Sequence, residues 1–303
     1  MLTVSSYNLL SPEALHARAR LALSSLESCQ ICPRHCRVNR PAGERGFCRM
    51  GRLARVYSCT PHFGEEPPLV GRSGSGTIFF SGCNLACVFC QNCEISQMDQ
   101  GQDASADELA KMMLELQDQG CHNINFVTPT HFVPQILEAL VLACERGLDL
   151  PLVYNSGGYD SVETLRLLDG IFDIYMPDMK YGSDKFALKY SHAPEYIGYA
   201  RAAIKEMHSQ VGDLVVDEDG VAVRGLIVRH LVLPDGLAGT SEVVRFLARE
   251  ISPRTYLNVM AQYRPEYSAC RYPELDRCIT SNEYREAVTM AADAGLTRGL
   301  DIY

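Results

Sequence analysis

The chain has 303 residues, 47% hydrophobic and 21% charged, with 37 acidic against 28 basic side chains and a net charge of -9. That length suits about two domains or one α/β barrel, and the balance excludes a disordered or collagen-like chain. No run of ~18 apolar residues is present, which excludes a helical membrane span. The thirteen cysteines, roughly 4% of the chain, ask for an explanation.

The opening residues MLTVSSYNLL place no basic region ahead of an apolar run, so no secretory signal is visible and a cytoplasmic location is expected. In a reducing compartment, clustered cysteines bind metal or do redox chemistry more often than they pair as disulfides. Ser11 as N-cap with Pro12 in the first turn predicts a helix over 11–26. Next come Cys29, Cys32, Cys36 and Cys48, spaced C-x2-C-x3-C-x11-C, with Cys59 further on. Four thiolates at such spacing make a closed tetrahedral zinc site or hold an auxiliary iron-sulfur cluster; the bland alternative is four free thiols. About 48 residues with few apolar runs need such a staple to fold.

Arg34, Arg37, Arg40, Arg45, Arg49, Arg52 and Arg55 crowd the same segment, and residues 29–76 carry eight arginines against Glu44, Glu65 and Glu66, a balance of +5. A solvated basic face, partly paired with the acidic remainder, is the simpler reading beside a docking face for an acidic protein, a phosphate-bearing substrate or nucleic acid. Nucleic acid is the weakest of these, because no aromatics interleave the arginines and residues 77–303 carry -14. The stretch PHFGEEPPLVGRSGSG reads as loop and boundary, dividing the chain into an N-terminal helix plus Cys/Arg-rich metal-binding module (1–76) and a second unit (77–303).

From Thr77 onward, strand and helix signals alternate. Short apolar runs at 77–81, 124–128, 150–155, 171–176, 225–233 and 255–260 suit buried parallel strands. Between them, Ser105 and Glu108 form a capping box ahead of Leu109, Met112, Met113 and Leu116, and helical spacing recurs at 132–146, 161–169, 193–209, 240–250 and 281–294. Six such units predict an α/β fold, a partial (β/α)6 TIM-like barrel of right-handed βαβ units. Asp219-Gly220 predicts a hairpin before the fifth strand.

The sharpest motif follows the first of these strands: SGCNLACVFCQNC, with Cys83, Cys87 and Cys90 spaced C-x3-C-x2-C. Three thiolates on one loop can bind three irons of a [4Fe-4S] cluster and leave the fourth open, as a catalytic zinc keeps an open position. The loop also lies at the carboxyl end of a barrel strand, where barrel active sites form. The competing reading is a structural zinc or four-ligand cluster that recruits Cys93.

With Phe89 just before the third cysteine, this motif in this place resembles the radical S-adenosylmethionine (radical SAM) superfamily, and the resemblance covers residues 77–303. It implies that Cys83, Cys87 and Cys90 are the catalytic cluster ligands and that SAM chelates the open iron. Reductive cleavage of SAM would then yield a 5′-deoxyadenosyl radical for hydrogen abstraction, with the difficult chemistry carried by the cofactor. Cys93 departs from the motif and is not taken as a ligand.

A more local likeness is to the activating enzymes of glycyl-radical enzymes, in a pyruvate formate-lyase activating enzyme-like subgroup that also shows CPRHC, TPTHF and RHLVLP. Asp178-Met179-Lys180 is similar to their SAM-contacting Asp-x-Lys, and an uncompensated lysine there suits the SAM carboxylate. Asn155 and Ser156 stand where those enzymes hold the ribose and carboxylate. Thr128 and Thr130 occupy the place of their Gly-Gly-Glu, so hydroxyls and backbone would replace a carboxylate. The cofactor-binding set so implied is Phe89, Thr128, Thr130, Asn155, Ser156, Asp178 and Lys180. The implied electron donor is a flavodoxin or ferredoxin, and the implied substrate a glycyl-radical enzyme. The alternatives are a radical enzyme acting on another peptide or small molecule, and a non-enzymatic iron-sulfur or zinc protein.

The remaining candidates read as ordinary structure. Cys121 and Cys144 suit small buried hydrophobes, and Cys270 and Cys278 match no common metal spacing. One of Arg229 and His230 is expected to face the SAM pocket or the core, and Gln262 and Tyr263 to line the substrate end or pack.

Overall fold

The computed structural model describes residues 4–300; residues 1–3 and 301–303, the outermost positions of the two expected units, lie outside the described residues. Among the described residues nine strands form, in chain order β1 (Ala54–His62), β2 (Ser75–Phe80), β3 (Gln102–Ala104), β4 (Ile124–Val127), β5 (Leu152–Ser156), β6 (Ile174–Pro177), β7 (Val215–Val216), β8 (Ala222–Leu231) and β9 (Tyr256–Met260). Strands β2, β4, β5, β6, β8 and β9 are successive parallel neighbours, each at one of the six apolar runs. The protein is therefore an α/β fold with a mixed sheet, consistent with a partial barrel of six parallel strands.

Strand pleat separates two faces of this sheet. Ile78, Phe126, Tyr154 and Tyr175 stand side by side across the ladders and pack under the helices in the main core. On the opposite face, Val153 and Ile174 pack with Ile227 and Leu69, closing one end of the lumen. The next layer of that face brings Asn155 and Met176 into register, with Arg229 beside Asn258. Polar residues thus sit above an apolar floor, toward the carboxyl ends of the strands.

The helices follow their local signals. Ser11 caps Pro12–Ser24 by accepting from Ala14 N at 3.2 Å, and the Ser105–Glu108 capping box opens Ala106–Asp118. The Asp219-Gly220 turn joins β7 to β8 as an antiparallel pair.

Two strands have no counterpart in the sequence reading. β1 runs antiparallel to β2, and β3 antiparallel to β1, extending the sheet beyond the barrel. Only the first residues of β1 are buried, so its period-2 pattern is weak in the sequence. Gly76 lies within β2, and β1 pairs with it across that position. Tyr7, Leu15, Leu26, Ile31 and Met50 share one core with the barrel helices, and the first turns are tethered by Ser6 N donating to Asp173 Oδ1 at 2.9 Å.

Candidate active site

The loop leaving β2 carries Cys83, Cys87 and Cys90 over the carboxyl ends of the strands. It leaves the strand through Gly82, at φ +73°. It is pinned by Ala86 N donating to Ser191 O (3.0 Å) and Val88 N to Tyr190 O (2.8 Å). Leu85, Val88 and Phe89 bury beside Cys87 in a small apolar cluster, and Phe89 meets Tyr263 edge to face at 5.7 Å. Tyr263 is therefore a packing residue, its hydroxyl donating to Leu275 O at 2.7 Å.

Each thiol has a polar neighbour. Leu85 N donates to Cys83 Sγ at 3.3 Å, Ser191 Oγ to Cys87 Sγ at 2.9 Å, and Ser96 Oγ lies 3.1 Å from Cys90 Sγ. Burial pushes all three thiols above their ordinary range, with their mutual repulsion adding to it at Cys83 and Cys90, while the nearby Lys180 cation pulls each back. Among the described residues, no three His, Cys, Asp or Glu side chains are gathered for a single metal ion. A cluster makes a different demand, since each iron takes its own thiolate. One buried and two partly buried thiols facing a lysine, with hydroxyl and amide donors on the sulfurs, are a donor set that fits an anionic iron-sulfur group.

Opposite the loop stands a charged network. Lys180 Nζ donates to Asp178 Oδ2 at 2.5 Å, so the lysine expected to be uncompensated is paired. Arg229 reaches inward from β8: Nε donates to Asp178 Oδ1 and Nη2 to Asn155 Oδ1, both at 2.7 Å. Burial works against the Asp178 charge, but Arg229 and Lys180 outweigh it and hold the carboxyl below its ordinary range. Burial likewise opposes the lysine charge, and Asp178 overcomes it, raising Lys180. His230, the neighbour of Arg229, faces the core and bonds Met179 O (2.7 Å) and Thr240 Oγ1 (2.9 Å).

Thr130 and Ser156 are brought together by a residue the sequence reading passed over. Thr130 Oγ1 and Tyr154 OH donate to Asp160 Oδ1 at 2.7 and 2.9 Å, and Ser156 Oγ donates to Oδ2 at 2.7 Å. Asp160 is buried, and that burial raises its pKa against the three hydroxyl bonds. Thr128 has φ +61°, a strained conformation for a β-branched residue, and its N–H donates to Asn155 O at 2.8 Å. Strain of this kind concentrates at functional sites.

Glu65 and Glu66 were also missed, because two acids in a Pro-rich loop give no sign of their destination. They enter the barrel behind Arg229. Glu65 Oε2 lies 3.6 Å from Arg229 Nη1, and Asn258 Nδ2 donates to Glu66 Oε1 at 2.9 Å. Burial, opposed by Arg229 and reinforced by the negative charges of Glu66 and Asp178, raises Glu65 to about 7.

The N-terminal arginines are largely spent within the chain. Arg52 pairs with Glu138 at 2.8 Å and Arg55 with Asp103 at 3.2 Å. Arg49 donates to the Ser96 carbonyl at 3.0 Å, and Arg40 is buried. Cys29, Cys32, Cys36 and Cys48 line one small cavity.

A loop of three cysteines at the carboxyl end of the first strand of a partial barrel defines a class, and sequence comparison agrees: the radical SAM superfamily model matches residues 77–218. That match spans 142 of the 303 residues and marks them as a radical SAM domain. It is 35% identical over 292 residues to the uncharacterised protein MJ0674 of Methanocaldococcus jannaschii, covering 92% of this chain and 79% of the relative. Among solved structures it is similar to anSMEcpe with bound AdoMet and Cp18Cys peptide (TM-score 0.48, 11% identity, 70% of this chain). It is similar too to HydG, a maturase of the [FeFe]-hydrogenase (TM-score 0.48, 10% identity, 96% of this chain). This chain spans 56% of each of those two solved chains. No helix among the described residues is long and apolar enough to cross a membrane.

Proposed function

We propose that this protein is a SAM-cleaving oxidoreductase in which Cys83, Cys87 and Cys90 ligate a [4Fe-4S] cluster. When bound, that cluster supplies the electron that splits the SAM sulfonium into methionine and a hydrogen-abstracting 5′-deoxyadenosyl group. The observation that carries this reading is the placement of three thiols, Cys87 buried and Cys83 and Cys90 partly buried, opposite the Asp178, Lys180 and Arg229 network on one lumen end. Arg229 is shared among Asp178, Glu65 and Glu66, whereas Lys180 meets Asp178 from the side of the thiols, which leaves the lysine as the cation that suits the carboxylate of SAM. Phe89 and Tyr263 exclude water from the loop's flank. Thr128, Asn155 and Ser156 offer backbone and amide groups on the facing strands, held in place by Asp160 and Arg229.

The substrate in this reading is a glycine Cα of a partner protein, as the likeness of Asp178-Met179-Lys180 to the activase motif suggests. A flavodoxin or ferredoxin donates the electron in a cytoplasmic setting. A second metal, zinc or iron-sulfur, belongs to the reading at Cys29, Cys32, Cys36 and Cys48.

The test is anaerobic reconstitution with iron and sulfide, then dithionite and SAM. The wild-type chain should form 5′-deoxyadenosine and a Cys87→Ala variant should form none. Wild-type protein that holds iron yet forms none would overturn the proposal. A glycyl-radical EPR signal on mixing with a glycyl-radical enzyme would support the activase reading. Deuterium passing into 5′-deoxyadenosine from a small metabolite instead would replace it.

A further inference from the structure

The cavity lined by Cys29, Cys32, Cys36 and Cys48 is closed by Arg34, Arg40 and His131. Each of these three carries a buried nitrogen without a hydrogen-bond partner: Arg34 Nη2, Arg40 Nη2 and His131 Nδ1. Arg40 and His131 are almost wholly buried, at 1% and 2% exposure. A buried guanidinium nitrogen left unpaired is costly, so its environment is expected to supply an acceptor. No carboxylate among the described residues lines the cavity to neutralise the two arginines.

A four-thiolate centre meets both demands. The four side chains are not gathered around one point as a single ion requires, but four thiolates around a [4Fe-4S] core of charge +2, each on its own iron, carry a net charge of two minus. Arg34 and Arg40 bring two positive charges to that cavity, and their free nitrogens are donors that sulfur accepts. The four thiol protons pass to solvent as the metal binds.

The same walls hold the catalytic loop. Arg34 Nε donates to Asn84 O at 2.8 Å, and His131 Nε2 bonds Ser81 O at 2.8 Å. At Gly82, φ is +73° and a Cβ would stand 2.7 Å from Cys48 O, so the Cys48 backbone is packed directly on that turn. Positions 81, 82 and 84, which flank Cys83, are thus each fixed by a residue of the four-cysteine cavity.

We propose that Cys29, Cys32, Cys36 and Cys48 bind a [4Fe-4S] cluster as a doubly negative tetrathiolate centre neutralised by Arg34 and Arg40, and that this centre, through Arg34, Cys48 and His131, fixes the turn that carries Cys83. The inference rests on the second-metal reading above and adds the coupling between the two cysteine sites. It makes Arg34, Arg40 and His131 positioning residues rather than catalytic ones.

The experiment uses the full chain, supplied anaerobically with zinc in one arm and with ferrous iron plus sulfide in the other. A Cys83→Ala, Cys87→Ala, Cys90→Ala triple variant should keep about four irons with sulfide in the second arm, and uptake of one zinc in the first with no iron in the second overturns the cluster assignment. Binding of neither overturns the second-metal reading and the inference with it. An Arg34→Gln variant keeps all the cysteines. It should retain the N-terminal metal yet lose iron from the Cys83 loop to a chelator about tenfold faster than wild type, as loss of an outer partner of a metal ligand commonly does. Cys48→Ser should lose the N-terminal metal and show at least the same acceleration. Wild-type rates of iron loss in Arg34→Gln, with the N-terminal metal in place, overturn the coupling while leaving the second metal standing. If Cys48→Ser fails to fold by circular dichroism, Arg34→Gln alone decides.

Discussion

Asp178 is where the charges of the lumen meet, receiving bonds from Lys180 and Arg229 while Glu65 and Glu66 stand behind the arginine. Removing one member of a buried ionic group costs about 3–5 kcal/mol, because the others lose their partner. Asp178→Asn is therefore expected to lower Tm by several degrees and to cut 5′-deoxyadenosine formation at least about tenfold. Glu65 makes the network pH-dependent. Its carboxyl titrates near 7 in the fold, above the 4.5 of an ordinary glutamate. The stability it contributes is full below about pH 4.5 and is lost as pH rises through 7. The Tm advantage of wild type over Glu65→Gln should shrink between pH 5 and 8, and an advantage that stays constant would count against this placement of Glu65. Gly158 is a steric counterpart: at φ +76°, a Cβ there would stand 2.0 Å from Asp178 O. Gly158→Ala should displace that strand end and weaken SAM binding, read by equilibrium dialysis, by more than about tenfold.

At the scale of elements, local chemistry governs. Ser105 Oγ accepts from Glu108 N at 3.2 Å while Glu108 Oε2 accepts from Ser105 N at 2.7 Å, and Thr280 with Glu283 repeats the arrangement ahead of Ser281–Asp293. Losing such a cap costs about 1 kcal/mol, so Ser105→Ala should lower Tm by roughly 2 °C. These boundaries were legible because a cap and its helix lie within a few residues of each other. β1 was not, since its pairing with β2 is set by a partner strand and its outer half is exposed. The helix expected over 240–250 is α-helical to Phe246 and continues as a π-turn over Leu247–Ile251.

For the whole molecule, the N-terminal residues build the barrel as well as precede it. The helix Pro12–Ser24 packs on Val133–Glu145, and β1 is hydrogen-bonded along β2. A fragment of residues 77–303 would expose that sheet edge and part of the shared core. It is expected to aggregate or to unfold without cooperativity, as judged by size exclusion and thermal circular dichroism. A soluble fragment with the wild-type Tm would show instead that the barrel stands alone.

The amino-acid sequence by itself determined the alternation of strands and helices, the six-strand barrel order and the three-cysteine loop after the first strand. Each depends on periodicities of two and 3.6 residues or on spacings within one loop. Only the tertiary structure decided which charges meet. Arg229 bonds Asp178 and Asn155 across 51 and 74 residues, and Asn258 reaches Glu66 across 192. It paired the lysine that looked free, gave Thr130 and Ser156 to Asp160, and set the Cys48 backbone against the turn of Cys83. Such partners are chosen when the sheet curls into a barrel and brings strand ends together, and no local pattern carries that information.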